Sequence, residues 1–491
     1  NITVITGSLM MRPLFMDVYT PPPSDTETER PLIIMAATGN FLPKVYNGGP
    51  NGTIKDSVVV ELATRLTKAG YVVAVIDHRK GWDFTNPDQP TQTATLLQAA
   101  YRGIQDMRSA IRFFRRSVAE PVLPPPSTAL NPFGIDSSRI AAGGVGTGGY
   151  ISLGCAYLSD YATEIALFKF TDPNTSIPYV VESVNGNMWG TNYGIHPVSG
   201  DTISVPNHVG FNSDISVAFN LGGALGDSVW IDANEPPSIN FHVPVDPFAP
   251  YDIGVVIVPT TNNVVIDQAA GSYAVARINN RVGNNDVFKN AGFTDTYTQR
   301  ANMINDGYEG LYPFVRPFTP GSQFTCGGAP VSQVPEGSPW DWWNQARFTA
   351  EWNAVFSTGV PYNGTVANCL SLASNVDMSP TKGRTYCDTV MGYLLPRLAV
   401  AMNLMPTGIE ELKAQSQLQV FPNPANDMLY FRTVANSPMN SIEVLDATGR
   451  VLRKVDNINA PSFTFERNGL PTGLYFVKVN LAGGSITEMF K

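Results

Sequence analysis

Between residues 14 and 145, apolar runs of strand length alternate with stretches of helical period. Leu14-Phe-Met-Asp-Val-Tyr-Thr alternates like a half-buried strand and stops at Pro21-Pro-Pro. Pro31-Leu-Ile-Ile-Met-Ala-Ala and Tyr71-Val-Val-Ala-Val-Ile-Asp are apolar almost throughout, as strands buried on both faces are. Asp56 to Ala69 reads as an amphipathic helix, with Asp56 a candidate cap and Gly70 closing it. Thr91 to Glu120 carries Ala99, Ile104, Met107, Ile111 and Phe114 at helical spacing. Buried strands alternating with helices predict an α/β domain built on a doubly wound, mostly parallel sheet.

The rhythm breaks over residues 160–215, rich in Asn, Gly, Pro and Thr, which read as an insertion over the carboxyl edge of the sheet. Ile215-Ser-Val-Ala-Phe-Asn-Leu and Ile239-Asn-Phe-His-Val resume the strands. Residues 260–335 are again irregular. Pro339-Trp-Asp-Trp-Trp is expected to open a helix running to about Phe356. Thr381 to Met402 is a final helix, with Tyr386, Val390, Leu394, Leu398 and Ala401 as its apolar stripe. After a polar linker at 405–417 the texture changes. From Leu418 there are only short strands and turns such as Asp446-Ala-Thr-Gly, which predict a small β-sandwich over 418–491. The expected division is 1–404, 405–417 and 418–491.

At 491 residues a large domain plus a small one is the natural expectation. A net charge of −9 gives no footing for nucleic acid or an anionic membrane, both of which need clustered Lys and Arg. Charged residues make up 15%, against roughly 25% in ordinary soluble domains, which suits a loop-rich extracellular surface. No apolar window approaches the roughly 18 residues of a membrane span. The start at Asn1 fits either a trimmed boundary or a terminus left by signal removal. Cys155, Cys326, Cys369 and Cys387 match no zinc spacing, so no metal is expected. Cys155 reads as a buried thiol. One disulfide among the other three is plausible in a secreted protein, with Cys369–Cys387 the first choice.

Ile140-Ala-Ala-Gly-Gly-Val-Gly-Thr-Gly-Gly-Tyr150 has the layout of a nucleophile elbow, an apolar strand turning sharply into a helix. Laid over G-x-S-x-G, it puts Gly146 at the nucleophile position, where there is no side chain to react. Residues 8–404 resemble the secreted esterase-like proteins of the α/β-hydrolase family. The resemblance is carried by Asp17-Val-Tyr-Thr-Pro, the elbow, Phe219-Asn-Leu-Gly-Gly-Ala, His242-Val-Pro-Val-Asp-Pro-Phe-Ala-Pro-Tyr and Asp377-Met-Ser-Pro-Thr-Lys-Gly-Arg. It implies a Ser, an acid and a His in that chain order. The acid position matches Asp246, whose bland alternative is a loop-capping carboxylate. None of the four histidines, His78, His196, His208 and His242, follows Asp246. Imidazole is the side chain that gives and takes a proton near neutrality, so its loss is as serious as that of the Ser. The loop that should donate to an oxyanion is Ala37-Thr-Gly-Asn-Phe41, in which Gly39 and Asn40 read as a remnant. Thr147 is a weak substitute nucleophile, and Cys155 a weaker one.

Residues 418–491 resemble the type A C-terminal sorting domain of the type IX secretion system of Bacteroidota. Val420-Phe-Pro-Asn-Pro-Ala-Asn-Asp, Val444-Leu-Asp-Ala-Thr-Gly-Arg-Val-Leu and Leu470-Pro-Thr-Gly-Leu-Tyr-Phe-Val-Lys-Val carry that resemblance. It implies export by that machinery to the cell surface or medium.

Other motifs point to different chemistry. Gly144, Gly146 and Gly149 fit G-x-G-x-x-G, but the motif sits late in the sheet and the expected ribose acid would be Glu164, inside the insertion. Asp172-Pro-Asn-Thr and Asp232-Ala-Asn-Glu are oxygen-rich enough for calcium and equally ordinary as turns. Trp340, Trp342 and Trp343 suit a sugar platform less well than a core. Asp-Ser/Thr-aliphatic triplets at Asp56, Asp201, Asp227 and Asp388 resemble surface glycosylation sites of these bacteria and also arise by chance. The expectation is a secreted, non-catalytic hydrolase-like protein without cofactor, self-associating through strand edges. An esterase with a non-standard nucleophile is the alternative.

Overall fold

The computed structural model describes residues 2–3, 9–10, 14–22, 24–25, 27–257, 264–356, 362–404, 412–413, 416–435, 437–446, 450–481 and 484–491. Most of the expected linker and the Asp446-Ala-Thr-Gly turn lie outside them. The chain divides into two compact units, Asn1–Met402 and Asn403–Lys491.

The first unit is built on a seven-stranded sheet. Its strands are β1 (Phe15–Tyr19), β2 (Arg30–Ala36), β3 (Val72–Asp77), β4 (Ile135–Val145), β5 (Val217–Leu221), β6 (Ser238–His242) and β7 (Leu311–Pro313). Their order is β7-β6-β5-β4-β2-β3-β1, parallel except for β1, which runs antiparallel on the β3 edge. The central strands read as continuous apolar runs because both faces are covered. Leu32, Ile34, Ala36, Val72, Ala74, Ile76, Ile140 and Ala142 share one core cluster with Met107, Ile111 and Phe114 of α2 (Gln89–Ala119) and Ile151 of α3 (Thr147–Tyr157). The intervening residues Ile33, Met35, Val73 and Val75 are also fully buried. α1 (Ser57–Lys68) packs on β3 and on the long C-terminal helix Pro380–Ala401.

Several local expectations change. Asp56 stands before α1 but does not cap it. Its carboxylate turns back to accept the N–H groups of Gly52 and Thr53. The helix after the Trp cluster runs only from Gln345 to Val355. Trp340 and Trp342 lie before it, buried, as core residues. The 160–215 segment touches the carboxyl end of the sheet at Ile203, whose carbonyl accepts from Arg79 just after β3. It also lies along α2, where Gln98 donates to the Tyr179 carbonyl, Gln105 to those of Asn185 and Gly186, and Arg112 to Asn207. Buried polar groups on the outer face of α2 needed partners, and the insertion supplies them. The disulfide joins Cys326 to Cys369, correcting the expected Cys369–Cys387 pair. Cys387 is a buried free thiol inside the last helix, facing the core.

The second unit is all antiparallel. One sheet holds Gln419–Phe421, Met428–Arg432 and Ser462–Glu466; the other holds Val451–Val455, Met439–Asp446, Tyr475–Leu481 and Gly484–Phe490. Alternate residues, among them Leu429, Phe431, Ile442, Val444, Phe465, Val477, Val479 and Ile486, form a single core.

Candidate functional site

β2 is followed in sequence by β3 on one side and, after α2, by β4 on the other. The carboxyl ends of β2 and β4 therefore mark the point where the strand order reverses, the place where open α/β sheets form their crevice. Gly146 sits there, between β4 and α3, with φ 55° and ψ −118°. A positive φ at this sharp strand-to-helix turn favours glycine. The glycines around it serve close packing. A Cβ on Gly144 would come within 2.0 Å of the Gly148 backbone, and one on Gly148 within 2.0 Å of the Ala36 carbonyl. α3 therefore rests directly on β2 and β4. That packing also accounts for the G-x-G-x-x-G spacing, since Glu164 is buried and accepts from Ser159 and Asp160.

The space next to Gly146 is taken. A Cβ built there would meet Thr38 Oγ1 at 2.3 Å and Thr38 Cβ at 2.9 Å. Thr38 belongs to the turn after β2, where Gly39, Asn40 and Phe41 all have positive φ (133°, 55° and 54°). That turn is pinned from behind. Trp82 donates to the Asn40 carbonyl at 2.9 Å, and Gly81 to the Phe41 carbonyl at 2.7 Å. Thr147, next along α3, has its Oγ1 buried without a hydrogen-bond partner among the described residues. A hydroxyl with no base beside it is not activated.

The residue expected at the acid position has a buried side chain. Asp246 lies just past β6, its side chain 4% exposed. Its Oδ1 accepts the N–H groups of Phe248 (2.7 Å) and Ala249 (3.3 Å), and burial pushes the carboxyl up to about 6. A Cβ on Gly337 would stand 2.6 Å from the carboxylate, so the backbone after β7 closes against it. Trp340 fills the neighbouring space, with its ring 3.2 Å from a Cβ on Gly222.

The nearest thing to a triad is misleading. His242 Nδ1 lies 2.8 Å from Ser272 Oγ, and its Nε2 is 3.9 Å from Asp246. A Ser, a His and an Asp thus stand in a row. But Ser272 and His242 are 0% exposed, and Nε2 has a closer partner in the Ala249 carbonyl at 3.2 Å. Ser272 Oγ also accepts from Asn220 at 2.9 Å. Burial holds His242 neutral, down to about 4. This is a hydrogen-bonded core network with no path for a substrate. The other three histidines have different neighbours. His78 is buried beside Phe41, with both ring nitrogens unpartnered among the described residues. His208 packs on Phe113, and exposed His196 accepts from Ser199.

Among the described residues no group of three or more His, Cys, Asp and Glu could hold a metal ion. Asp172 ties its own turn through Asn174 and Thr175. Residue patterns could not have revealed Thr38, Gly337 or Trp340 at this site, because each acts by filling space.

Residues 419–490 match the secretion system C-terminal sorting domain. That domain marks the protein for type IX export and places it at the cell surface or outside the cell. Among the described residues no helix is long and apolar enough to cross a membrane. No curated protein matches the chain. Solved structures with partial likeness include esterase 2 of Thermogutta terrifontis phosphorylated by paraoxon (18% identity, 48% of this chain and 68% of that one, TM-score 0.28). The butyrate-bound form of a Thermogutta terrifontis esterase gives 15% identity over 62% of this chain and 79% of that one, TM-score 0.32. At such scores the likeness speaks for neither activity nor substrate.

Proposed function

We propose that this is a secreted, non-catalytic protein on a doubly wound scaffold of α/β-hydrolase type (residues 1–404), joined by a linker at 405–417 to its sorting domain at 418–491. The carrying observation is Thr38 standing in the space a nucleophile at position 146 would need. A mere Ser-to-Gly exchange would leave a gap. Here the gap is filled, the acid position is closed by Gly337, His242 is held by Ser272 and Ala249, and His78 is buried against Phe41. Gly146 and Asp246 are then positions without a reaction, and Gly39 and Asn40 a turn that serves packing. Loss of nucleophile and base together removes all but residual electrostatic catalysis.

The role left is structural or binding. Exposed strand edges in the sorting domain offer backbone groups for addition of a second copy. Light scattering of the full-length chain tests self-association; a monomer at every concentration rejects it. Hydrolysis of p-nitrophenyl acetate and butyrate tests the absence of catalysis. The expected rate equals buffer background. A rate well above it that falls with Thr147→Ala instead establishes the esterase alternative.

A further inference from the structure

A cavity of about 440 Å3 opens at the other end of the sheet, where the chain enters β5 and β6. It shares no residue with the site at Gly146. Its floor includes Arg108 of α2, 3% exposed, whose Nη2 donates to the carbonyls of Cys155 and Leu158 at the end of α3. Arg108 Nε and Nη1 are buried with no hydrogen-bond partner among the described residues. A guanidinium in that state is costly unless a ligand or water meets it. On one side lies Trp189, its ring 4.8 Å from the guanidinium and still 44% exposed. Asp214 and Asn234 stand on the rim, and Glu235 is half-buried between rim and floor.

We propose that this cavity binds a neutral saccharide unit, with Trp189 as the apolar platform and Arg108, Asp214 and Glu235 as hydrogen-bonding groups for its hydroxyls. The mixed charge of the lining decides the class. An anion would meet Asp214 at the rim. A cation would meet Arg108, with Arg112 behind it on the same helix. A polyol satisfies both, because each hydroxyl donates to a carboxylate and accepts from a guanidinium. Burial pushes Glu235 up to about 7, so near neutral pH its carboxyl offers a donor as well as an acceptor. The half-exposed indole supplies the apolar contact that a pyranose C–H face needs and a small polar ion does not. A cavity of this size lies within the range that encloses small ligands.

Saturation-transfer NMR on the full-length protein tests this, using D-glucose, D-galactose, D-mannose, D-xylose and N-acetylglucosamine, with glucuronate and glucosamine as charged controls. At least one neutral sugar is expected to show transfer. Trp189→Ala should weaken its affinity at least about tenfold, while Trp189→Phe keeps most of it. Trp189 is half exposed, so circular dichroism should show both variants folded. Transfer to no neutral sugar, stronger transfer to a charged one, or transfer unaffected by Trp189→Ala would overturn the proposal. Neither result depends on the ester assay, which reports only on the site at Gly146.

Discussion

At the carboxyl ends of β2 and β4, Thr38 stands in the one space a reacting side chain at Gly146 would need. At the amino ends of β5 and β6, the same unit leaves about 440 Å3 open beside a buried, incompletely paired arginine. The first place lies where the strand order reverses, and Thr38 crowds it. The second lies where an open α/β sheet does not ordinarily form its site, yet it holds unmet hydrogen-bonding capacity. The difference teaches that fold geometry and chemistry can come apart. A backbone turn persists because helix packing needs it, whereas a pocket needs only the groups that line it.

The largest effect should come from disturbing the packing around Gly146. Gly144→Ala would push a methyl to within 2.0 Å of the Gly148 backbone. Backbone cannot rotate away as a side chain can, so the cost should be at least about 3 kcal/mol, at the upper end for overpacking. Chemical denaturation of the purified variant checks it. A loss under about 1 kcal/mol would mean that α3 does not rest on the strands as described.

Restoring the missing hydroxyl comes next. Gly146→Ser places Cβ 2.9 Å from Thr38 Cβ, a clash that rotation of the Thr38 hydroxyl does not relieve. The expected cost is about 1–3 kcal/mol. Adding Thr38→Gly should return part of it. Neither variant should hydrolyse p-nitrophenyl butyrate above background, since His242, the histidine beside Asp246, is bound to Ser272 and Ala249. Activity in the double variant would show that only the nucleophile was lost.

Asp246 gives a pH signature. Burial raises its carboxyl to about 6, above its ordinary 3.8, so the folded state holds the proton more tightly than the unfolded one. That contribution is complete below about pH 4 and is lost as pH rises through 6. Asp246→Asn keeps the acceptor for Phe248 and Ala249 without the charge. It should therefore stabilise the protein by about 1–3 kcal/mol at pH 8 and by almost nothing at pH 4. Thermal denaturation at both values decides. An acid held for catalysis would reward the same change with lost turnover; here turnover should stay at background.

The sheet was legible because its strands are buried on both faces and so read as unbroken apolar runs. Val72 to Ile76 is one such strand. The sorting domain was legible through its period-2 strands and motifs. The disulfide was not, because pairing depends on which elements meet in space. Cys387 lies on the buried face of a helix, while Cys369 stands beside the short strand that carries Cys326. The full reach of the insertion was hidden for a similar reason. Its sequence shows irregularity, but only the buried polar groups of α2, such as Gln105 and Arg112, show what it covers. That position 146 is a glycine and that no histidine follows Asp246 can be read directly. That Thr38 fills the vacancy could not, because occupancy leaves no periodic trace.

The smallest expected effect falls at the open end. Trp189 covers Arg108 but is 44% exposed, so Trp189→Ala removes a stacking contact of about 0.5–1 kcal/mol and little core area. A melting temperature lowered by a few degrees at most is expected. A much larger drop would make the indole a structural lid over Arg108, and the cavity beneath it a packing fault. Near-native stability together with lost sugar binding would separate function from folding at this residue. Such a separation has no counterpart at Gly146, where any side chain disturbs the fold before it can serve chemistry.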